Sequence, residues 1–153
     1  MQRKQNKTKI NTSSKYSKIR IGIVVSQYNI DITGPMRDAA ILTLRQAGVA
    51  DRNITLSEAP GSFEIPFVCQ RLARSKKFDG LIAIGCVIRG DTDHYHFISN
   101  EATRGVMDVM LKHHIPIANA ILTVNNLEQA SIRSNGDQNK GVEATSALLS
   151  LLA

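Results

Sequence analysis

Two stretches, IGIVVS at 21–26 and GLIAIGCVI at 80–88, run the length of a β-strand without a single charge. A strand with one wetted face alternates polar and apolar residues. An unbroken apolar run therefore needs cover on both faces, as in a parallel sheet. Parallel neighbours require a crossover between them, usually a helix. The sequence supplies one each time. Strand readings fall at IRIGIVVSQYN (19–29), NITLSEAPG (53–61), GLIAIGCVI (80–88) and IPIANAILTV (115–124). The first helix pattern opens on Thr33, Gly34 and Pro35, sets Met36, Ala40, Leu44 and Ala47 on one face, and stops at Gly48. The second, SFEIPFVCQRLARSKKF at 62–78, carries Ile65, Cys69 and Leu72 on one face, with Pro66 tolerable only in its first turn. A third is predicted from Phe97 to His113. A fourth starts at Asn126, with Gln129 three residues on as in a capping box, and a fifth runs from Lys140 into SALLSLLA. This alternation predicts one α/β domain: a four-stranded parallel sheet with helices on both faces.

With 153 residues, 42% hydrophobic and 21% charged, the chain suits a single soluble domain, and no stretch is apolar enough to span a bilayer. Its net charge of +6 is unevenly spread. Residues 1–20 hold seven Lys and Arg and no acid, which leaves twelve bases against thirteen acids beyond them. The expectation is a basic, flexible tail at 1–18 followed by a near-neutral domain at 19–153, with no nucleic-acid or membrane partner; a tail that acts as a polyanion-binding arm is the minority reading. Cys69 and Cys86 sit in apolar surroundings without metal or disulfide spacing, and look like reduced core thiols of a cytoplasmic protein.

Open parallel sheets bind ligands beyond the carboxyl ends of their strands. Those ends carry Gln27-Tyr28-Asn29, Ala59 to Glu64, and Arg89 to His94 of the polar run RGDTDHYH, whereas the opposite loops read as solvated turns. GDT before a helix offers backbone N–H groups and a hydroxyl to a phosphate, although Asp91 needs a cation nearby to offset its charge. His94 can exchange protons at neutral pH, or merely cap the next helix. Taken singly, Tyr28 is as much an ordinary rim aromatic as a stacking ring, Phe63 at a helix start reads first as a core anchor, and Glu64 can simply complement the helix dipole. Asp91, Asp93, His94 and His96 are possible metal ligands, but no metal-site spacing accompanies them, and no GxGxxG follows the first strand.

Taken together, SQYNIDIT, EAPGSFEIPFVCQRLA, FDGLIAIGCVIRGDTDHYHFISNEATRGV, IPIANAILTVNNLEQA and NKGVEA resemble the 6,7-dimethyl-8-ribityllumazine synthase family from about Ile21 onward. The resemblance implies a three-layer flavodoxin-like domain and a transferase acting in riboflavin synthesis. That enzyme condenses 5-amino-6-(D-ribitylamino)uracil with 3,4-dihydroxy-2-butanone 4-phosphate, releasing phosphate and water. It implies no cofactor and no metal, because the uracil's own amine is the nucleophile. It also implies a homo-oligomer with shared active sites, either a pentamer or a sixty-subunit assembly of pentamers, and riboflavin synthase as a further partner.

By position, the resemblance puts Tyr28 and Asn29 at the pyrimidine, with the Tyr28 ring stacking, and Ser62, Phe63 and Glu64 along the ribityl chain. Cys86, Val87 and Ile88 would meet the pyrimidine edge through their backbone. Asp91 and Thr92 form the phosphate turn, Arg133 and Lys140 supply its cations, and His94 carries the proton. Two departures stand out. Asn119 replaces the phenylalanine that many relatives extend across a subunit boundary, and SNGDQN is about one residue shorter than the common loop. A non-catalytic flavin- or pyrimidine-binding module on the same fold is the alternative that Asn119 favours.

Overall fold

The computed structural model describes residues 15–153. Among them the order is β1 (Ile21–Ser26), α1 (Ile30–Gln46), β2 (Ile54–Ala59), α2 (Ile65–Ser75), β3 (Gly80–Ile88), α3 (His94–His113), β4 (Ile117–Val124), α4 (Leu127–Ser134) and α5 (Lys140–Leu151). All strands are parallel, in the order β2-β1-β3-β4, with Ile21 opposite both Ile54 and Gly80 and Leu81 opposite Ile117.

Side chains alternate across a strand, so the sheet feeds two cores. On one side Ile21, Ile23, Ile82, Ile84 and Leu122 pack against Met36, Ala40 and Leu44 of α1 and Leu148 of α5. On the other, Val24, Leu81, Ala83 and Ile121 meet Ile65 and Cys69 of α2 and Val106 of α3. Each fully buried Ile or Leu contributes about 1.5–3 kcal/mol of transfer free energy. The central strands β1 and β3 are covered on both faces, which is why their sequences never alternate. No helix among the described residues is long and apolar enough to cross a membrane.

Helix boundaries depart from the sequence reading in three helices. α1 begins at Ile30, not at Thr33, because Asn29 adopts a left-handed conformation (φ 59°) and its carbonyl accepts from Ile32 and Thr33 N–H. Pro35 thus lies inside the helix, and the bond it forfeits is to Asp31, whose exposed position lets water replace it. α2 begins at Ile65, not Ser62, because Ser62–Glu64 form a 3-10 turn and Pro66 fits only the first helical positions, and it stops at Ser75, short of Phe78, where Lys76 turns left-handed (φ 57°). α3 begins at His94, three residues before the expected Phe97, so His94 and His96 are helical and not extended.

The cap of α4 keeps half of the predicted box, because Gln129 reaches back to Asn125 and not to the cap residue Asn126. Asn126 Oδ1 accepts from Gln129 N at 2.9 Å, and Gln129 Oε1 accepts from Asn125 N at 2.8 Å. Of the expected tail, residues 1–14 lie outside the described residues. Residues 15–18 form a turn fastened to the domain, with Tyr16 Oη donating to Leu149 O at 3.1 Å and Asn53 Nδ2 to Ser17 O at 3.1 Å.

Candidate active site

The chain leaves β1 toward β2 and then crosses back to β3 on the other side, so the loops after β1 and β3 part company. That divergence opens a crevice at the carboxyl ends of the strands. A cavity of about 750 Å³ occupies it, lined by Tyr28 and Asn29 after β1, the turn 61–64 after β2, the end of β3, and the start of α3.

The walls are held by local bonds. Gln27 N donates to Ala59 O at 2.8 Å and Tyr28 N to Pro60 O at 3.0 Å, continuing the β1–β2 pairing past the strands. Asn29 Nδ2 donates to Cys86 O at 3.0 Å, which ties the end of β1 to the end of β3 across the crevice. Tyr28 then projects its ring from the rim, 72% exposed. A flat aromatic left open beside an apolar strand end is a stacking platform.

Ser62 Oγ is buried without a hydrogen-bond partner among the described residues. It rests over Gly85, where a Cβ would come within 2.7 Å of it. An orphaned buried hydroxyl in a cavity wall costs free energy that a bound hydroxyl or amide would recover. Glu64 stands exposed two residues on, able to accept from a polyol. Opposite them, Gly90, Thr92 and His94 bring a flexible backbone, a hydroxyl and an imidazole to the N-terminus of α3, where unsatisfied N–H groups favour an anion. His94 N–H reaches Thr92 Oγ1 at 3.4 Å, a long contact.

The thiols are not poised to react. Burial pushes Cys86 up to about 11 and Cys69 up to about 12, so both remain protonated near neutrality. Among the described residues no three His, Cys, Asp or Glu side chains group as a metal site.

Of the residues named from the sequence, the cavity gathers Tyr28, Asn29, Ser62, Phe63, Glu64, Cys86, Val87, Ile88, Thr92 and His94. Asp91, Asn119, Arg133 and Lys140 do not line it. Asn119 folds onto its own strand, accepting from Ile121 N at 3.0 Å. Arg133 Nη1 donates to Gln129 O at 3.1 Å, and Lys140 Nζ pairs with Glu143 at 2.6 Å. His96 meets Tyr95 edge-on at 5.3 Å. Sequence reasoning missed Tyr95 and Ile98, which also line the cavity. With α3 starting at His94, the i, i+1, i+4 spacing of His94, Tyr95 and Ile98 turns them to one side.

A parallel three-layer domain with a cavity at its strand crossover belongs to the doubly wound class that binds small molecules at that point. Within that class the chain belongs to the 6,7-dimethyl-8-ribityllumazine synthase family, whose model matches residues 18–153. It is similar to proteins of that name from three bacteria. The protein from Methylobacillus flagellatus is 46% identical over 134 residues, 88% of each chain. That of Phocaeicola vulgatus is 40% identical over 135 residues, 88% of this chain and 80% of the relative. A Neisseria meningitidis protein is 50% identical over 112 residues, 73% of this chain and 71% of the relative. The chain is therefore an enzyme of the transferase type, in a family that serves riboflavin biosynthesis.

Proposed function

We propose that the chain condenses 5-amino-6-(D-ribitylamino)uracil with 3,4-dihydroxy-2-butanone 4-phosphate to give 6,7-dimethyl-8-ribityllumazine, inorganic phosphate and water. The observation that carries this reading is a single cavity bounded by the Ser62–Glu64 turn on one side and by Thr92 and His94 on the other. One end suits a polyol and the other an anion, which matches a pair of substrates that present a ribityl chain and a phosphate.

The protein need not supply a nucleophile, because the uracil amine attacks the ketone and loses water to form the imine. Its contribution is to hold two molecules together and to carry protons. Tyr28 stacks on the pyrimidine, and the backbone at Cys86, Val87 and Ile88 meets its edge. Ser62 and Glu64 hold the ribityl hydroxyls. His94 relays the proton during imine formation and phosphate elimination, while Asp91 and Thr92 shape the turn that receives the phosphate.

Arg133, Lys140 and Asn119 act, in this reading, from a neighbouring copy. Anion release wants a guanidinium close by, and the chain's own cavity wall has none. The proposed assembly is a pentamer, alone or built into a sixty-subunit shell, in the cytoplasm, with riboflavin synthase as a partner and no cofactor. The test mixes both substrates with the purified protein and follows the lumazine chromophore. Pyrimidine binding without phosphate-dependent product would reject the enzymatic reading of this cavity.

A further inference from the structure

Beyond the tail, twelve bases against thirteen acids suggest a neutral body, but the fold sorts them. Helices α1, α2, α3 and α5 run back along the sheet, so their ends and the strand starts share one end of the molecule, opposite the cavity. The segments 15–20, 45–53, 74–79 and 111–116 assemble there. Asn53 Nδ2 donates to Ser17 O at 3.1 Å, Asp79 N to Arg20 O at 2.8 Å, and Leu81 N to Pro116 O at 3.0 Å. Of the thirteen acids only Asp51 and Asp79 fall in these segments. Both are already neutralised, by Arg45 at 2.7 Å and by Arg20 at 3.4 Å.

The remaining cations have no ion-pair partner among the described residues. Arg74 and Lys112 stand in the last turns of α2 and α3, where the helix dipole accounts for them. Lys76, the C-cap of α2, is explained in the same way; Lys15, Lys18, Arg52 and Lys77 lie outside α-helices, all exposed, and the dipole does not explain them. The chain enters the fold at this same end, and the preceding sequence adds Arg3, Lys4, Lys7 and Lys9.

We propose that this end of the molecule binds the phosphate backbone of nucleic acid, without regard to base sequence. Charge complementarity carries the proposal: solvated cations on three separate segments suit a chain of phosphates that bends to reach them. A lipid surface would call for an amphipathic helix side to insert, and this end is built of turns and element ends.

The test is fluorescence anisotropy of the full-length protein, in its native assembly, with a labelled single-stranded ribo-oligonucleotide between about 50 and 200 mM salt. Each lost phosphate contact changes the slope of log K against log salt by about 0.7, so K18Q/R52Q/K77Q flattens it by about two units. Those substitutions are exposed, and an unchanged thermal melt shows that the fold survives. Two results overturn the proposal: no binding at low salt, or an unchanged slope in the triple variant while R3Q/K4Q/K7Q/K9Q abolishes binding. Binding to phosphatidylserine vesicles but not to the oligonucleotide overturns it as well.

Discussion

Gly85 lies in the middle of β3, beneath the cavity wall. A Cβ there would come within 2.7 Å of Ser62 Oγ and 2.8 Å of Ile65 Cδ1. Ordinary contact begins near 3.4 Å, so in Gly85→Ala each neighbour must retreat by roughly 0.6 Å. Ser62 and Ile65 are buried, so the displacement passes into the turn 62–64 that lines the cavity. Overpacking of this kind costs about 1–3 kcal/mol, or on the order of 4–8 °C in melting temperature for a 2 kcal/mol loss. Gly22→Ala is the control. Its Cβ would meet Leu81 Cδ2 at 2.7 Å and Leu72 Cδ1 at 3.2 Å, on the same sheet face but at the amino end of β1. Both variants are expected to lose similar stability. Only Gly85→Ala should also lose lumazine formation, by about ten- to hundredfold in kcat/KM, because a displacement under 1 Å at a positioning group costs that much. Thermal melts and steady-state rates of the two proteins decide it. Equal catalytic loss in both, or none in Gly85→Ala, would refute the link between the Gly85 contact and substrate placement.

His94→Ala should slow turnover more than it weakens binding, whereas Arg133→Ala should mainly raise the apparent KM for the phosphate substrate; the reverse pattern in steady-state kinetics would exchange their roles. Asn126→Ala removes the cap of α4 and should cost about 1 kcal/mol in urea unfolding, while also raising that same KM, since Arg133 is bonded to Gln129 in the capped helix. The buried thiols make stability fall in alkali. Unfolded cysteine ionises near 9.0, but Cys86 and Cys69 hold their protons to about 11 and 12. Their contribution is complete below pH 9 and is lost as pH climbs toward those values, by roughly 1 kcal/mol per thiol at pH 10. Urea midpoints from pH 8 to 10 should show this slope and a shallower one in Cys69→Ala; identical slopes would mean that other groups set it.

Where burial on both faces dictates composition, the chain was readable. β3 matched GLIAIGCVI residue for residue, and the Asn126–Gln129 spacing predicted a cap that the structure contains. Boundaries set by single backbone angles were not readable. The left-handed turn at Asn29 moved the start of α1 ahead of Pro35, and nothing in ITGP announces it. The start of α3 was misplaced because RGDTDHYH looks polar throughout, and with it the cavity-facing Tyr95 and Ile98 were lost. The strand-end rule brought seven named residues to one cavity because chain topology alone carries them there, and Cys86, Val87 and Ile88, named by the family resemblance, join them at the end of β3. Asn119, Arg133 and Lys140 came from later elements on the β4 side, where spacing in sequence says little about which surface, or which copy, they face. Net charge was the weakest guide. A near-zero sum concealed one end of the domain on which exposed cations without ion-pair partners gather.

Asn29 bends the chain, closes the first turn of α1 and spans from β1 to β3. These are three duties for one short side chain and its backbone. The mouth of the crevice is thereby cut to width during folding, before any small molecule arrives. A guest entering there meets a frame already set, and little of its affinity is spent on stiffening that wall.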